Sequence, residues 1–202
     1  VSYAAIFACS HRKGGNTDHA AELMAQGVMD AGGEARVFFV RDYAVEHCLA
    51  CGACEKAAGQ PPEKCCVLSP RDDSMKLFRP LLEARTVLIS SPIYFYALPS
   101  RFTTLMDRSQ QFWAARNRGE SWLVEQPART ATLAMAAGRP RGEKLFKGAE
   151  RSLRFFLKDY GIEIAQSLHF RGKDGPNDMR ADESARERLL RAGREAWTGP
   201  ES

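Results

Sequence analysis

The chain has no apolar run approaching the roughly 18–20 residues that would span a bilayer, so no transmembrane anchor is expected. No export signal opens it, and the cytoplasm is the expected compartment. The excess of one charge over the other is small as well. The 29 Lys and Arg against 25 Asp and Glu leave a net +4, scattered along the chain. That balance suits phosphorylated or carboxylated small molecules and is too weak for a nucleic-acid surface. Histidines number only four. His11 lies in a glycine-rich stretch, within reach of a ligand, whereas His19, His47 and His169 have no ligand-like spacing and read as solvated or structural. Several fingerprints are missing. There is no G-x-G-x-x-G, Lys13 precedes the glycines where a nucleotide P-loop needs its Lys after them, and no elbow motif marks a nucleophilic Ser.

What is present is an alternation of strand-like and helix-like segments in 202 residues, 44% apolar and 27% charged, enough for one domain with a real core. "YAAIFAC", "EARVFFV", "TVLISSP" and "RTATLAMAAG" read as buried strands, and "IEIAQSLHF" as a more exposed edge strand. Helices are expected over 16–31, capped by Asn16 or Thr17; from Asp72 and Asp73 through about Leu82; over 100–113; over 143–159; and over 180–196. The last opens a C-terminal segment, 180–202, that packs through Leu189, Leu190 and Trp197. A polar connection fills 114–128. The expected architecture is a single α/β domain, a doubly wound five-stranded parallel sheet with helices on both faces. Ligands of such sheets bind beyond the carboxyl ends of the strands, so the loops 10–17, 92–98 and 135–142 are the places to search.

The first of these loops, within "CSHRKGGNT", is built for an anion. Gly14 and Gly15 allow close backbone approach, a helix start offers unpaired N–H groups, and Ser10, Asn16 and Thr17 add neutral donors beside the cation of Arg12. A cysteine phosphatase loop starting at Cys9 would need an Arg where Gly15 stands. The pattern that remains is a terminal monophosphate held mostly by neutral donors, as in flavin mononucleotide (FMN); the alternative is an ordinary turn that binds nothing. The loop "SSPIYFYALPSRF" is too aromatic for a mere connection. Pro92 and Pro99 stiffen it, Tyr94 and Phe95 offer flat surfaces, and the backbone of Ile93, Tyr94 and Phe95 can pair with the polar edge of a heterocycle. A cluster packed into its own core is the competing reading.

Five of the six cysteines fall between positions 48 and 66, in an irregular insertion over 41–71. Cys48, Cys51 and Cys54 have the C-x2-C-x2-C spacing that lets three thiolates converge on a cubane. Cys65 or Cys66 would be the fourth ligand, and Cys65 completes the candidate set. Three chemistries compete: a [4Fe–4S] cluster, a structural zinc held by four thiolates, and free thiols.

"GGNT" after the first strand, "C-x-x-C-x-x-C…DDSM" and "SSPIYF…DR" after the third together resemble the NADPH-dependent FMN reductase group of the flavodoxin-like superfamily, with the iron–sulfur flavoproteins nearest. The likeness spans roughly residues 3–140. It implies FMN phosphate on Ser10, Arg12, Asn16 and Thr17, and the ring beside Pro92, Ile93, Tyr94 and Phe95. The stretch Ala136, Ala137 and Gly138 would cover the ring's other side. Asp107–Arg108 matches the family's "DR" pair, equally readable as a surface salt bridge or helix contact. In the iron–sulfur flavoproteins the fourth cysteine follows closely; here ten residues separate Cys54 from Cys65. The expected activity is electron transfer from NAD(P)H through flavin to a quinone, another small acceptor or the cluster, with no essential side-chain acid or base. A non-enzymatic carrier exchanging electrons with a ferredoxin-like partner is the alternative. A homodimer or higher oligomer is expected, with 114–128 at the contact.

Overall fold

A computed structural model describes residues 2–199. Five strands, β1 (Tyr3–Ala8), β2 (Glu34–Phe39), β3 (Thr86–Pro92), β4 (Arg129–Ala137) and β5 (Ile162–Arg171), form one sheet in the order β2-β1-β3-β4-β5, every pair parallel. Parallel neighbours need crossovers, and the helices supply them on both faces. These are α1 (Asn16–Asp30), α2 (Ser74–Glu83), α3 (Ser100–Arg108), α4 (Gln110–Asn117), α5 (Ser121–Val124), α6 (Lys147–Lys158) and α7 (Glu183–Thr198). The fold is the expected flavodoxin-like one. Among the described residues no helix is long and apolar enough to cross a membrane.

Side-chain alternation divides the core in two. From β1, Tyr3, Ala5 and Phe7 enter a core shared with Phe78, Phe102 and Leu153, while Ala4, Ile6 and Ala8 face Met24, Val28 and Leu189. The central strands are therefore predominantly apolar on both faces, as sheets covered on both sides require. On the second face α7 lies tightly on α1. A Cβ at Gly27 would stand 2.1 Å from the Leu190 carbonyl oxygen, and one at Gly193 2.1 Å from that of Met24, so the two glycines set the helix separation. Of the residues expected to pack α7, Leu189 is buried while Leu190 and Trp197 are half-buried. Residues 200–202 of the expected tail lie outside the described residues.

Three local departures have physical reasons. Helix α1 is capped by the extended backbone of Gly15, with no side-chain cap, because the Asn16 amide is engaged elsewhere. The helix expected over 100–113 breaks at Ser109, whose Oγ donates to the Met106 carbonyl at 2.6 Å and whose N–H bonds the same oxygen at 3.0 Å, tightening the turn. Helix α2 starts after both aspartates rather than with them. Asp72 accepts from the N–H groups of Ser74 and Glu46, and Asp73 from that of Ala44, so the pair fastens the entry of the cysteine insertion to the helix start.

The order of the strands reverses between β1 and β3. The loops leaving these two strands, one feeding α1 and one feeding α3, therefore open a crevice at the carboxyl edge of the sheet.

Candidate functional site

The loop after β1 is held in shape from beneath. The Ser10 hydroxyl accepts from the Arg12 N–H at 3.0 Å, and the Asp18 carboxylate accepts from the Gly14 N–H at 2.8 Å. Gly14 sits at φ +68°, a conformation other residues adopt only with strain. Asp18 is buried and paired with Arg41 at 2.8 Å, and Arg41 also donates to the Ser10 carbonyl at 3.3 Å. A carboxylate under an anion loop would repel its ligand; the guanidinium of Arg41 offsets that charge. Neither residue was singled out from sequence, although an acid in the first turn of α1 was a readable signal. Behind them, Ser90 donates to the Thr17 carbonyl at 2.7 Å and ties α1 to β3.

The loop after β3 is strained. Tyr94 and Ala97 exchange two backbone hydrogen bonds, of 3.0 and 2.9 Å, closing a two-residue turn with Phe95 at φ 51° and Tyr96 at φ 64°. Two consecutive positive φ values define the type I′ turn, which favours Asn and Gly; aromatics there cost about 1–2 kcal/mol each. Phe95 gains no burial in return, being fully exposed, and Tyr94 stacks on His11 with centroids 6.4 Å apart. The Ile93 N–H donates to the Ala136 carbonyl at 2.8 Å, which sets this loop beside the one after β4.

Both loops line one cavity of about 170 Å³. Ser10, Arg12, Gly15, Asn16 and Thr17 form one wall. Pro92, Ile93, Tyr94, Ala136 and Gly138 form the other. Two of the expected residues lie off it. Ala137 is buried in the core, and Phe95 lines an adjoining groove of about 630 Å³ with His11, Tyr94 and Ser100. Lys173 and Asp174, unforeseen from sequence, close the cavity from the loop after β5. That loop is latched by Asn16, whose Nδ2 donates to the Lys173 and Gly175 carbonyls at 3.1 and 2.8 Å and whose Oδ1 accepts from the Met179 N–H at 2.9 Å. The Asn16 side chain is thus fully occupied by that loop, which leaves its backbone N–H as the group it can offer a ligand.

The cysteine insertion lies over α3 and α4. Cys48, Cys51, Cys54 and Cys66 line one cavity of about 420 Å³, together with Arg108 and Trp113. Ala50 (φ 48°) and Gly52 (φ 68°) wind the chain so that the first three cysteines face it. Cys65 does not. It is buried in its own loop, with Sγ 3.6 Å from the Gln60 carbonyl and 3.5 Å from that of Pro61. Burial pushes the thiols of Cys54 and Cys65 above their usual range. Among the described residues no three His, Cys, Asp or Glu side chains come close enough to hold a single metal ion. The loop is pinned at two points. Arg118 donates to the Cys54 carbonyl at 2.8 Å, and Glu120 accepts from the Gly59 N–H at 3.0 Å. Arg108 is only 2% exposed and bonds Asp72. It is thus a buried clasp, not a surface salt bridge.

The family model for NADPH-dependent FMN reductase matches residues 3–142. The chain belongs to that family. It is similar to an iron-sulfur flavoprotein of Archaeoglobus fulgidus, 32% identical over 95 residues, which cover 47% of this chain and 43% of that one. The match thus spans less than half of the relative. Solved structures of the same fold include an NAD(P)H:quinone oxidoreductase from Methanothermobacter marburgensis, with TM-score 0.67 and 18% identity over 100% of this chain and 98% of that one. An FMN-dependent NADH-azoreductase from Bacillus anthracis in complex with FMN gives TM-score 0.66 at 12% identity, covering 96% and 98%. Family membership covers both walls of the smaller cavity and the whole cysteine loop, which lie within the matched residues; Lys173 and Asp174 fall beyond them.

Proposed function

We propose that the chain is an FMN-dependent NAD(P)H oxidoreductase that passes electrons to a quinone or another small acceptor. The observation that carries this reading is the single cavity shared by the anion loop and the strained aromatic loop. At about 170 Å³ it is smaller than the roughly 300 Å³ at which whole-ligand pockets begin, so it takes the phosphate end. The N–H groups opening α1, with Ser10 and Arg12, hold that phosphate, and the positive end of the helix dipole adds to the attraction. The rim formed by Pro92, Ile93, Tyr94 and Phe95 on one side and by Ala136 and Gly138 on the other orients the flat ring. The strain in Phe95 and Tyr96 supports the same assignment, since costly backbone with no burial in return is found at ligand sites. When bound, FMN supplies hydride acceptance from a nicotinamide and onward electron transfer; the protein positions it and limits water.

The same reading makes Cys48, Cys51, Cys54 and Cys66 the ligands of a [4Fe–4S] cluster, with Cys66 in place of Cys65. The donor set is all thiol, and the four line one cavity. A cubane suits separate thiols lining one cavity, because each thiolate takes its own iron. The exposed side chains of Leu49, Val67 and Trp113 at the mouth favour cover by a second copy of the chain. Steady-state oxidation of NADH and NADPH with a soluble quinone tests the enzyme. Turnover that depends on added FMN supports it, whereas folded, flavin-loaded protein with no turnover overturns it.

A further inference from the structure

Outside the flavin cavity, the most heavily bonded buried charge among the described residues sits behind the cysteines. Arg108 Nη1 donates to the Glu46 carbonyl at 3.0 Å and to Asp72, while Nη2 donates to Ser74 Oγ at 3.2 Å and lies 3.5 Å from Cys66 Sγ. One guanidinium therefore joins the segment before the first cysteine, the last cysteine, and the start of α2. Its Nε, buried beside the same cavity, has no hydrogen-bond partner. A buried donor left unpaired costs about 1–3 kcal/mol, and this one borders the cavity that the cysteines line.

We infer that Arg108 is a positioning residue for the group held by the cysteines, one that also raises that group's reduction potential. The inference rests on reading the loop as a cluster site. A cluster bound by thiolates gains one negative charge on reduction, and its potential responds to nearby charge and to hydrogen bonds on its sulfurs. Arg108 presents both at Cys66, from a position that water does not screen. Asp72, bonded to Nη1 where Cys66 lies by Nη2, carries the opposite charge and works against it. The two residues therefore pull the potential in opposite directions while contributing to one clasp.

The test uses the full chain, purified without oxygen and reconstituted with iron and sulfide, as wild type, Arg108→Gln, Arg108→Lys and Asp72→Asn. Iron per chain and a redox titration followed by electron paramagnetic resonance are measured; FMN content and circular dichroism report folding. About four irons per wild-type chain are expected. The potential should fall in Arg108→Gln, rise in Asp72→Asn and lie between wild type and Arg108→Gln in Arg108→Lys. A merely structural clasp would lower iron content in all variants without opposite shifts. Iron-loaded variants whose potentials stay put, or move the same way, overturn the role of Arg108 and leave the cluster standing. Wild type that takes up no iron overturns the cluster and the inference together. Should Arg108→Gln fail to fold, the Asp72→Asn and Arg108→Lys shifts still decide.

Discussion

Phe95 and Asn16 show how much of the account turns on single side chains. The Phe95 backbone is strained and its ring fully exposed, so its conformation serves something other than stability. Asn tolerates positive φ, so Phe95→Asn should raise the unfolding free energy in urea by about 1 kcal/mol. Removing an aromatic face worth about 0.5–1.5 kcal/mol should weaken FMN binding roughly two- to thirteenfold. A variant that is less stable, or binds as before, would separate the strain from the ligand. Asn16→Asp would turn two donated bonds into a carboxylate oxygen facing two carbonyls. A loss of about 1–3 kcal/mol is expected, along with at least tenfold weaker FMN by fluorescence titration. That the glycine-rich turn after β1 lines a cavity was legible, because small and polar residues after a buried strand are carried by composition. The role of Asn16 was not, since its partners lie some 160 positions away in a segment with no motif. Nor did spacing separate Cys65 from Cys66; which thiol reached the cavity was decided by how the loop folded back on Gln60 and Pro61.

Among the elements, the clasp that joins α3 to the cysteine insertion is sensitive to acid. Burial pushes the Asp72 carboxyl up, but bonds from Arg108, Ser74 and the Glu46 N–H outweigh it and hold the group below the ordinary carboxylate range. A depressed value means that the stabilisation is complete above the ordinary pKa of about 3.9 and is lost as pH falls through the lowered one. The stability gap between wild type and Asp72→Asn should therefore be constant from pH 7 to about 5 and close in stronger acid. A gap that began to close well above the ordinary carboxylate pKa, near neutral pH, would show that the charge of Asp72 is not its source. On the opposite face, Gly27→Ala would drive a methyl into the Leu190 carbonyl and should cost at least 1–3 kcal/mol in thermal or urea unfolding, prying α7 from α1. Strands and helices were legible from their periods, because sheet faces and helix stripes repeat. The break at Ser109 and the cap at Gly15 were not, since both depend on one side chain choosing a backbone partner.

At the scale of the whole molecule, one topological fact organises the rest. The strand order reverses between β1 and β3, and this brings a loop near residue 10 against one near residue 94. Alternating strands and helices foretold that edge, which is why both walls of the cavity could be named from sequence. The third wall, Lys173 and Asp174, lies past the last recognisable motif and became visible only once β5 was in place. The central claim is that this crevice grips FMN by its phosphate. Titrating flavin-free protein with FMN and with riboflavin, which lacks only that group, measures it directly. FMN should bind at least a hundredfold more tightly, by a margin that shrinks as salt is raised. Equal affinities for the two flavins would contradict the account.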